Sequence, residues 1–489
     1  MMSALKPRQA TTPLWHASEV AAAVDGIAAA SDATFFGVQI DSRDVAGGDL
    51  FVAMPGTDKD GHDFVAGALR SGAAAALVRN DWQAPAGVTE SQLIRCAAPK
   101  DALIAMATTR RDLVDACIIG VTGSAGKTGL KDALQRCLGR QALAHTNVRS
   151  FNNDVGVPLT MARMPRETQY GIFEMGMNHA GELTQLSEWV RPDIAVITTI
   201  AMAHYEFFES EEGIADAKAE IFSSFKGAGT AILPHDNRHF ERLHAAATTY
   251  GAERILTFGL QPGADVRSIA VSSHGDCTTL SAQVVDQAML LKIGIAGRHW
   301  VSNALAALAV IHAAGADLGL AGLSLADLRA LPGRGQVTEV AVGAGSIRMM
   351  DDSYNANPAS MAAALDTFSG LKSAPRGRRI AVLGDMLELG DAGPEQHAAL
   401  LKPLLEAEVD SIICVGPLMQ HLTDAAASKL EAISAASPDE ALSALRPLLR
   451  AGDTLLVKGS NSIGLAKLVE ALKGGALALT EDRRSGEAG

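Results

Sequence analysis

The stretch CIIGVTGSAGKTGL, residues 117–130, decides the fold of this chain. An apolar run leads into a glycine-rich turn, and a segment of helix-forming residues follows it. This order predicts a strand, a turn and a helix N-terminus, where backbone N–H groups and the helix dipole can hold phosphate. The turn departs from the spacing G-x-x-x-x-G-K-[ST], because Val121 stands where that pattern has its first glycine. We therefore predict a phosphate-binding loop of uncommon form, built by Gly123, Ser124, Ala125, Gly126, Lys127, Thr128 and Gly129.

The residues that close this loop predict the chemistry of the site. Lys127 would reach the β- and γ-phosphates of ATP, and the hydroxyl of Thr128 would ligate Mg²⁺. An ordinary glycine-rich turn between a strand and a helix is the alternative. The chain has no N-K-x-D motif, which a GTPase needs for reading its base. We therefore expect ATP at this loop.

Length and composition predict several α/β domains. At 489 residues the chain is too long for one core, and a prior of roughly 150 residues per domain suggests about three. Hydrophobic residues make up 48% of the chain and aromatic residues only 4%, so Ala, Val, Ile and Leu must build the cores. That mixture favours helices packed on parallel sheets over a β-sandwich.

The charge of the chain limits which partners it can bind, and its cysteine content indicates its cellular compartment. A net charge of −13 argues against nucleic acid, and it means that an anionic substrate must meet a local cationic pocket. Five cysteines without C-x-x-C spacing are typical of a reducing compartment. The N-terminus does not resemble a signal peptide, and no stretch of about 18 apolar residues lacks charge. We expect a cytoplasmic protein that does not span a membrane.

Strand and helix patterns divide the chain into three units, which are residues 1–112, 113–333 and 334–489. In the first unit FFGVQI, 35–40, is a predicted strand. The central unit alternates helix-length segments with apolar runs, which predicts a mainly parallel sheet with strands at 117–121, 170–175, 193–200 and 230–234. From 254 to 295 the runs become shorter and turn-rich, which predicts an antiparallel addition. The segment LPGRGQ, 331–336, predicts a linker to a Rossmann-like third unit.

Two acidic residues and a histidine near the loop are candidates for metal and catalytic roles. Glu174 ends an apolar strand, where a carboxylate can reach a metal beside the phosphates. A capping acid is the alternative for Glu174. His204 could be an imidazole ligand and Glu206 an orienting carboxylate, although a lone histidine is often a hydrogen-bond partner instead.

The helical pattern over residues 211–225 places Lys218 inside an apolar stripe. The stripe recurs at helical spacing and consists of Ile214, Ile221, Phe222 and Phe225. A lysine in such a place can extend its amine to water. A lysine whose amine stays in a dry site has instead a depressed pKa, and the neutral amine can add CO₂ to become a carbamate ligand for Mg²⁺. The residues alone leave both interpretations open.

Taken together, these segments resemble the Mur ligases, the ATP-dependent enzymes that form the amide bonds of the peptidoglycan stem peptide. In that family the loop reads T-G-x-x-G-K-T, which TGSAGKT matches. The resemblance covers about residues 40–465 in order, and its further motifs are FNNDVGVP (151–158), EMGMNHAGE (174–182), AKAEIF (217–222), HDN (235–237), GRHWVSNALAA (297–307) and PGR (332–334). It implies a three-domain fold with an N-terminal UDP-binding domain, a central ATPase domain and a C-terminal Rossmann-like domain.

Motifs in the outer units indicate one branch of this family. DDSYNANPASM (351–361), VLGDMLELG (382–390) and VKGSNS (457–462) resemble the branch that joins D-alanyl-D-alanine to a UDP-muramoyl tripeptide through an acyl phosphate. DSRDVAGGDLFVAMPGTDKDGHDF (41–64) resembles the UDP-sugar-binding domain that this branch shares with the diamino-acid-adding ligases. The D-N-P-R motif expected of those ligases is missing. A diamino-acid-adding ligase and an ATP-binding scaffold without catalysis are the alternatives.

The resemblance also implies roles for individual residues. It implies ATP, two Mg²⁺ ions and a carbamylated lysine at Lys218. The implied catalytic residues are Lys127, Lys218, His204 and Glu174, of which all but Lys127 also hold metal, together with Thr128. The implied nucleotide contacts outside the loop are Asp236, Asn237, Asn303 and Arg334. The implied substrate contacts are Ser42 and Arg43 for the uridine diphosphate, Asn152 and Asn153 for the peptidyl substrate, and Asp351, Asp352, Asn355 and Asn357 for the dipeptide.

Two motifs depart from the family pattern, and a third has an additional interpretation. Trp300 stands where many relatives have Asn, and Arg149 with Ser150 replaces a usual Gly-Asn, which changes the expected adenine and peptide contacts. In DDSYNANP, Asn357 is also a predicted helix N-cap with Pro358 at the first helical position. We expect a monomer.

Overall fold

A computed structural model of the chain describes residues 12–28, 33–56, 59–147, 151–202, 208, 210–274, 277–371, 374–375 and 377–476. The described residues form three large sheets with helices packed against them, which confirms the predicted α/β fold. No helix among these residues is both long and apolar enough to cross a membrane.

The N-terminal part builds a small, mainly parallel sheet. Its elements are β1 (Trp15–His16), α1 (Ala17–Ala23), β2 (Ile27–Ala28), β3 (Thr34–Phe35), β4 (Val38–Gln39), β5 (Leu50–Val52), α2 (Val65–Arg70), β6 (Ala75–Arg79), β7 (Leu93–Cys96) and α3 (Pro99–Leu113). The sheet order is β2-β7-β6-β5-β4, and β2 is antiparallel to β7 while the other pairs are parallel.

The strand predicted at 35–40 is instead two short strands. β3 pairs with β1 and β4 pairs with β5, so the chain changes partners between them. Gly37 lies at this change, where a side chain would collide with Asp49, because a Cβ would lie 2.4 Å from its Oδ1. The prediction of one strand was wrong because pairing partners, rather than the apolar pattern, set where a strand ends.

The central part builds a nine-stranded sheet. Its elements are β8 (Cys117–Thr122), α4 (Lys127–Gly139), β9 (Ala144–Thr146), α5 (Gly156–Ala162), β10 (Tyr170–Glu174), α6 (Glu182–Val190), β11 (Ile194–Ile197), α7 (Glu211–Ala219), β12 (Gly229–Pro234), α8 (Phe240–Thr249), β13 (Ala252–Gly259), β14 (Val266–His274), β15 (Cys277–Val284), β16 (Gln287–Ile293), α9 (Arg298–Ala313) and α10 (Leu318–Ala326). The order is β16-β15-β14-β13-β12-β11-β8-β10-β9.

The parallel core of this sheet extends further than the sequence predicts. The strands from β9 to β14 pair in parallel, and only β14–β15 and β15–β16 are antiparallel. The antiparallel addition expected from residue 254 therefore begins only after β14. β13 follows the crossover helix α8, and such a crossover returns the chain in the parallel direction.

The apolar stripe around Lys218 is buried as predicted, but its helix is shorter. α7 ends at Ala219, and one 3₁₀ turn over Glu220–Phe222 replaces the expected continuation to residue 225. Ile214, Ile221 and Phe222 are fully buried.

The C-terminal part builds a six-stranded sheet. Its elements are β17 (Gln336–Val342), β18 (Gly345–Asp352), α11 (Pro358–Ser369), β19 (Arg379–Gly384), α12 (Gly393–Ala399), α13 (Leu401–Glu406), β20 (Ser411–Val415), α14 (Gln420–Ala426), β21 (Glu431–Ala435), α15 (Pro438–Leu448), β22 (Thr454–Lys458) and α16 (Leu465–Lys473). The order is β17-β18-β22-β19-β20-β21, and all pairs except β17–β18 are parallel. The carboxyl ends of β8 and β10 in the central sheet and of β18 and β22 in this sheet border one cavity.

Candidate active site

The glycine-rich loop joins β8 to α4 in the geometry of a phosphate-binding loop. Gly123 and Gly126 have φ of 143° and 83°, the left-handed region that favours glycine. A side chain at Gly123 would also collide with Thr198, because a Cβ would lie 1.9 Å from its Oγ1. The first essential glycine is therefore Gly123 rather than residue 121, since the close approach to Thr198 occurs there.

Hydrogen bonds to the segment after β11 fix the loop. The Ser124 amide donates to Thr199 O at 2.8 Å, and the Ser124 hydroxyl donates to Ala201 O at 2.8 Å. The Thr198 hydroxyl donates to Ala125 O at 2.5 Å. These contacts between protein groups fix the shape of the loop, as a preorganised anion site requires.

Lys127 and Thr128 begin helix α4 beside the carboxylate of Glu174. Lys127 Nζ donates to Gly123 O at 2.6 Å, so the ammonium lies over its own loop. Burial lowers the pKa of Lys127, and the charge of Glu174 opposes that shift. The Thr128 hydroxyl donates to Glu174 Oε2 at 2.8 Å, and Asn152 Nδ2 donates to Oε1 at 2.8 Å.

The Thr128–Glu174 pair fits a magnesium site. Mg²⁺ prefers oxygen ligands and commonly takes one or two protein oxygens together with water and substrate phosphates. Thr128 and Glu174 both line the cavity, next to the loop that would hold phosphate. Within the described ranges no group of three or more His, Cys, Asp and Glu side chains gathers in a metal-binding arrangement. His204 and Glu206 lie outside the described residues, as do Arg149 and Ser150.

The cavity beside the loop has a volume of about 670 Å³ and is closed on its far side by the C-terminal part of the chain. It brings together six of the seven loop residues, those from Ser124 to Gly129, with a set of further predicted site residues, namely Asn152, Asn153, Glu174, Asn303, Arg334, Asp352, Asn355 and Asn357. Two amides bridge its walls: Asn303 Nδ2 donates to Gly126 O at 3.3 Å, and Asn357 Nδ2 donates to Ser124 O at 3.4 Å.

Charged and aromatic groups line the C-terminal wall. Lys458 Nζ donates to Asp352 Oδ2 at 2.6 Å and to Asn355 O at 2.9 Å. Burial raises the pKa of Asp352, and Lys458 opposes the shift. The Arg334 guanidinium lies 4.0 Å from the centre of the Tyr354 ring.

Trp300 occupies the position where an asparagine was expected. Its ring packs against the first turn of α4, since a Cβ at Gly129 would lie 3.0 Å from Trp300 Cη2. Trp300 also lines the cavity. It therefore offers an aromatic surface at a place where an asparagine would offer hydrogen bonds.

Several predicted site residues do not line this cavity. Asp236 accepts hydrogen bonds from the amides of Leu260 and Gln261, while Asn237 Nδ2 donates to Ile200 O at 2.9 Å. Asp351 accepts from the Gly333 amide at 3.0 Å. Ser42 and Arg43 lie in the N-terminal part, where Arg43 forms an exposed ion pair with Asp41. The roles proposed for these residues stay predictions.

Lys218 is fully buried in the central part of the chain. Its Nζ has no hydrogen-bond partner among the described residues. Burial, together with the charge of Lys127, lowers its pKa well below the ordinary value. A fully buried ammonium without a partner is costly, so this site favours a neutral amine or a modified one.

Sequence reasoning missed residues that shape the site. Asn147 Oδ1 accepts from the Glu174 amide at 2.8 Å, and Lys458 holds Asp352. Thr198 leaves no room for a side chain at position 123, so that position requires glycine. The position of Lys458 at the carboxyl end of an apolar strand could have indicated a role in the site. No sequence pattern indicated the roles of Asn147 and Thr198.

A phosphate-binding loop on a parallel sheet, with a magnesium-type oxygen pair and a second domain across the cavity, defines the chain as a nucleotide-dependent enzyme. Comparisons with known proteins specify the family. Residues 121–311 match the Mur ligase middle domain, residues 333–461 the Mur ligase glutamate ligase domain, and residues 34–109 the Mur ligase family catalytic domain. The chain belongs to the Mur ligase family.

Three relatives are similar over most of the chain. The UDP-N-acetylmuramoyl-tripeptide–D-alanyl-D-alanine ligase of Rickettsia prowazekii is 31% identical, over 94% of this chain and 99% of its own. A crystal structure of MurF from Acinetobacter baumannii is 29% identical with a TM-score of 0.82, covering 95% of this chain and 99% of its own. MurF ligase from Thermotoga maritima in complex with ADP is 26% identical with a TM-score of 0.75, covering 90% and 97%.

Proposed function

We propose that the chain is an ATP-dependent ligase that joins D-alanyl-D-alanine to UDP-N-acetylmuramoyl-tripeptide in peptidoglycan synthesis. The named relative from Rickettsia prowazekii supports this, because the similarity covers nearly the whole of both chains. The ADP complex of the Thermotoga maritima relative supports ATP as the nucleotide. The observation that carries the proposal is the position of Lys127, Thr128 and Glu174 at one wall of a cavity whose other wall is the C-terminal domain.

The reaction brings a carboxylate to a triphosphate, which is electrostatically unfavourable. Two like unit charges 4 Å apart repel by about 4 kcal/mol at an effective dielectric of 20. Lys127 and the backbone amides of the loop would reduce this repulsion by donating hydrogen bonds to the β- and γ-phosphates. Thr128 and Glu174 would hold a Mg²⁺ ion, which would supply further positive charge at the phosphoryl group. The tripeptide carboxylate attacks the γ-phosphorus to give an acyl phosphate and ADP, and the dipeptide amine then displaces phosphate.

We propose that Lys218 carries a carbamate that serves a second Mg²⁺ site, with His204 as a further ligand. Its burial and the lack of a partner for Nζ among the described residues support this, because a neutral amine adds CO₂ and releases one proton. The product is an anion, which suits a cation site better than an ammonium does.

The remaining contacts follow the family resemblance. We propose Asp236, Asn237, Asn303 and Arg334 as nucleotide contacts and Ser42 with Arg43 as uridine diphosphate contacts. Asn152 and Asn153 would contact the peptidyl substrate, and Asp351, Asp352, Asn355 and Asn357 the dipeptide. The domains would be 1–112, 113–333 and 334–489, in a cytoplasmic monomer.

Phosphate release with different acceptors tests the proposal. With ATP and UDP-muramoyl tripeptide, release should rise with D-alanyl-D-alanine and not with free diaminopimelate or lysine. Stimulation by diaminopimelate on the shorter UDP-muramoyl dipeptide would instead identify a diamino-acid-adding ligase. ATP binding without turnover under any acceptor would indicate a scaffold.

A further inference from the structure

Glu174 is held at three points where β10 ends. Its carboxylate accepts from the Thr128 hydroxyl at Oε2 and from Asn152 Nδ2 at Oε1, each at 2.8 Å. Its backbone amide donates to Oδ1 of Asn147, also at 2.8 Å. Thr128 and Asn152 belong to the predicted site, so Asn147 is the contact whose purpose the proposed reaction leaves unexplained.

The side chain of Asn147 takes the place of a strand carbonyl at the edge of the central sheet. β9 ends at Thr146, whereas the neighbouring β10 continues to Glu174. Backbone N–H groups of a strand point alternately to its two neighbours. The amide of Met175 donates to Val121 O in β8, so the amide of Glu174 points to the β9 side. Asn147 therefore extends the pairing of β9 with β10 by one hydrogen bond after β9 itself has ended.

The other end of the same carboxamide fixes the neighbour of Asn152. Asn147 Nδ2 donates to Phe151 O at 2.5 Å, and the Gly176 amide donates to Asn152 O at 2.8 Å. Phe151 directly precedes Asn152, whose amide group holds the Glu174 carboxylate. One side chain therefore holds Glu174 directly at its backbone amide and indirectly at its carboxylate.

A carboxamide suits both contacts of this buried position. Asn147 is 2% exposed, so a polar group left unpaired there would be costly. Asparagine offers an acceptor and a donor in one side chain, whereas an ionised aspartate only accepts. A third bond joins the residue to α4, since Lys131 Nζ donates to Asn147 O at 3.0 Å. Lys127 and Thr128 begin the same helix, so Asn147 connects the phosphate-loop helix to the end of β10.

We propose that Asn147 is a positioning residue for the Glu174 carboxylate and thereby sets the affinity of the metal site that Thr128 and Glu174 would form. The inference rests on the proposed function. Loss of an outer contact that orients a ligating carboxylate commonly weakens metal binding by about 10-fold to 100-fold. Asn147 is not among the residues that line the cavity, so it acts through Glu174 and not on a substrate.

Binding of Mn²⁺ in the presence of ADP tests the assignment without turnover. Mn²⁺ stands in for Mg²⁺, and electron paramagnetic resonance measures the free ion. Asn147→Ala should raise the Mn²⁺ dissociation constant by about 10-fold, because alanine releases both holds on Glu174. Gln141→Ala is the matched control and should leave the constant unchanged. Gln141 also bridges backbone groups, since its Nε2 donates to Asp317 O and its Oε1 accepts from the Asp317 amide, but it follows the far end of α4 and does not line the cavity.

Residue-resolved hydrogen exchange of the wild type decides the question even if the alanine variant does not fold. The amide of Glu174 should exchange as slowly as that of Phe173 in the same strand, because its partner Asn147 is buried. Fast exchange at Glu174, or a folded Asn147→Ala that is less stable but binds Mn²⁺ like the wild type, would overturn the inference alone. A wild type that binds no Mn²⁺ with ADP would overturn the metal site of the proposed function, and this inference with it.

Discussion

Two sheet edges face each other across the active-site cavity, and they are built in different ways. At the edge of the central sheet, Lys127 bonds to Gly123 four residues away, and Thr128 bonds to Glu174 from a neighbouring strand. At the edge of the C-terminal sheet, Lys458 reaches Asp352 across 106 residues of chain. The central edge takes Lys127 and Thr128 from one short motif and gains only Glu174 by strand pairing, whereas the C-terminal edge acquires its chemistry only when distant strands pair.

The largest expected effect follows from removing the motif-encoded charge of the central edge. Lys127→Ala should lower kcat by about 1,000-fold, because the alanine leaves the transferring phosphoryl group without its nearest cation. Circular dichroism should show an unchanged fold, since the ammonium bonds only to its own loop among the contacts described. Lys402→Ala, which removes an exposed lysine of α13, is the control. Wild-type turnover in folded Lys127→Ala would refute the phosphate-loop assignment.

The next largest effect concerns Lys218, the buried lysine of α7. Lys218→Ala should lower activity by about 100-fold, and formate or acetate should restore part of it by replacing the lost carboxylate of the carbamate. Lys218→Leu fills the apolar site and should keep the fold without such rescue. Wild-type activity in Lys218→Leu, or the lack of a carbamate signal in ¹³C NMR spectra of active enzyme supplied with ¹³CO₂, would show that the lysine is structural.

The difference between the edges also explains what the sequence could predict. The strand, loop and helix at 117–130 follow from local pattern, and β8 and α4 occur where that pattern placed them. The N-cap of α11 was equally local: Asn357 Oδ1 accepts from the Ser360 amide, and Pro358 takes the first helical position. The buried stripe with Lys218 followed from helical spacing.

Apart from the early end of α7 at Ala219, the errors lie where strand pairing decides the structure. The split between β3 and β4 depends on which strand each pairs with, and the parallel direction of β13 depends on the crossover through α8. Lys458 gains its role only when β22 pairs beside β18. No local pattern encodes such pairings.

A smaller effect tests whether burial in the central sheet prevents the protonation of His145. Burial lowers the pKa of His145 to about 4, and its Nε2 donates to Thr160 O at 2.8 Å. The folded state therefore stays neutral where the unfolded state takes up a proton, so stability falls as pH drops from about 6.5 to 4. His145→Gln, which keeps a donor, should reduce that slope by up to about 1 kcal/mol per pH unit in urea denaturation.

The exposed His274 provides the control for this titration. If His145→Gln has the wild-type slope, the folded-state pKa of His145 is close to its unfolded value.

The smallest effect separates the two roles of Asn357 at the C-terminal edge. Its Oδ1 caps α11 by accepting from the Ser360 amide at 2.8 Å, whereas its Nδ2 donates across the cavity to Ser124 O at 3.4 Å. Asn357→Ala removes both contacts and should destabilise the first turn of α11 by about 1 kcal/mol. Asn357→Ser keeps a capping oxygen and loses only the long contact, so it should cost a few tenths of a kcal/mol.

Hydrogen exchange of peptides that cover the start of α11 measures the cap in each variant, and the KM for ATP measures the contact to the loop. Faster exchange in the alanine variant alone, with the same small KM change in both, is the expected result. Equal exchange in the two variants would mean that the contact to Ser124, rather than the cap, holds this turn, and that the two sheet edges depend on each other for their shape.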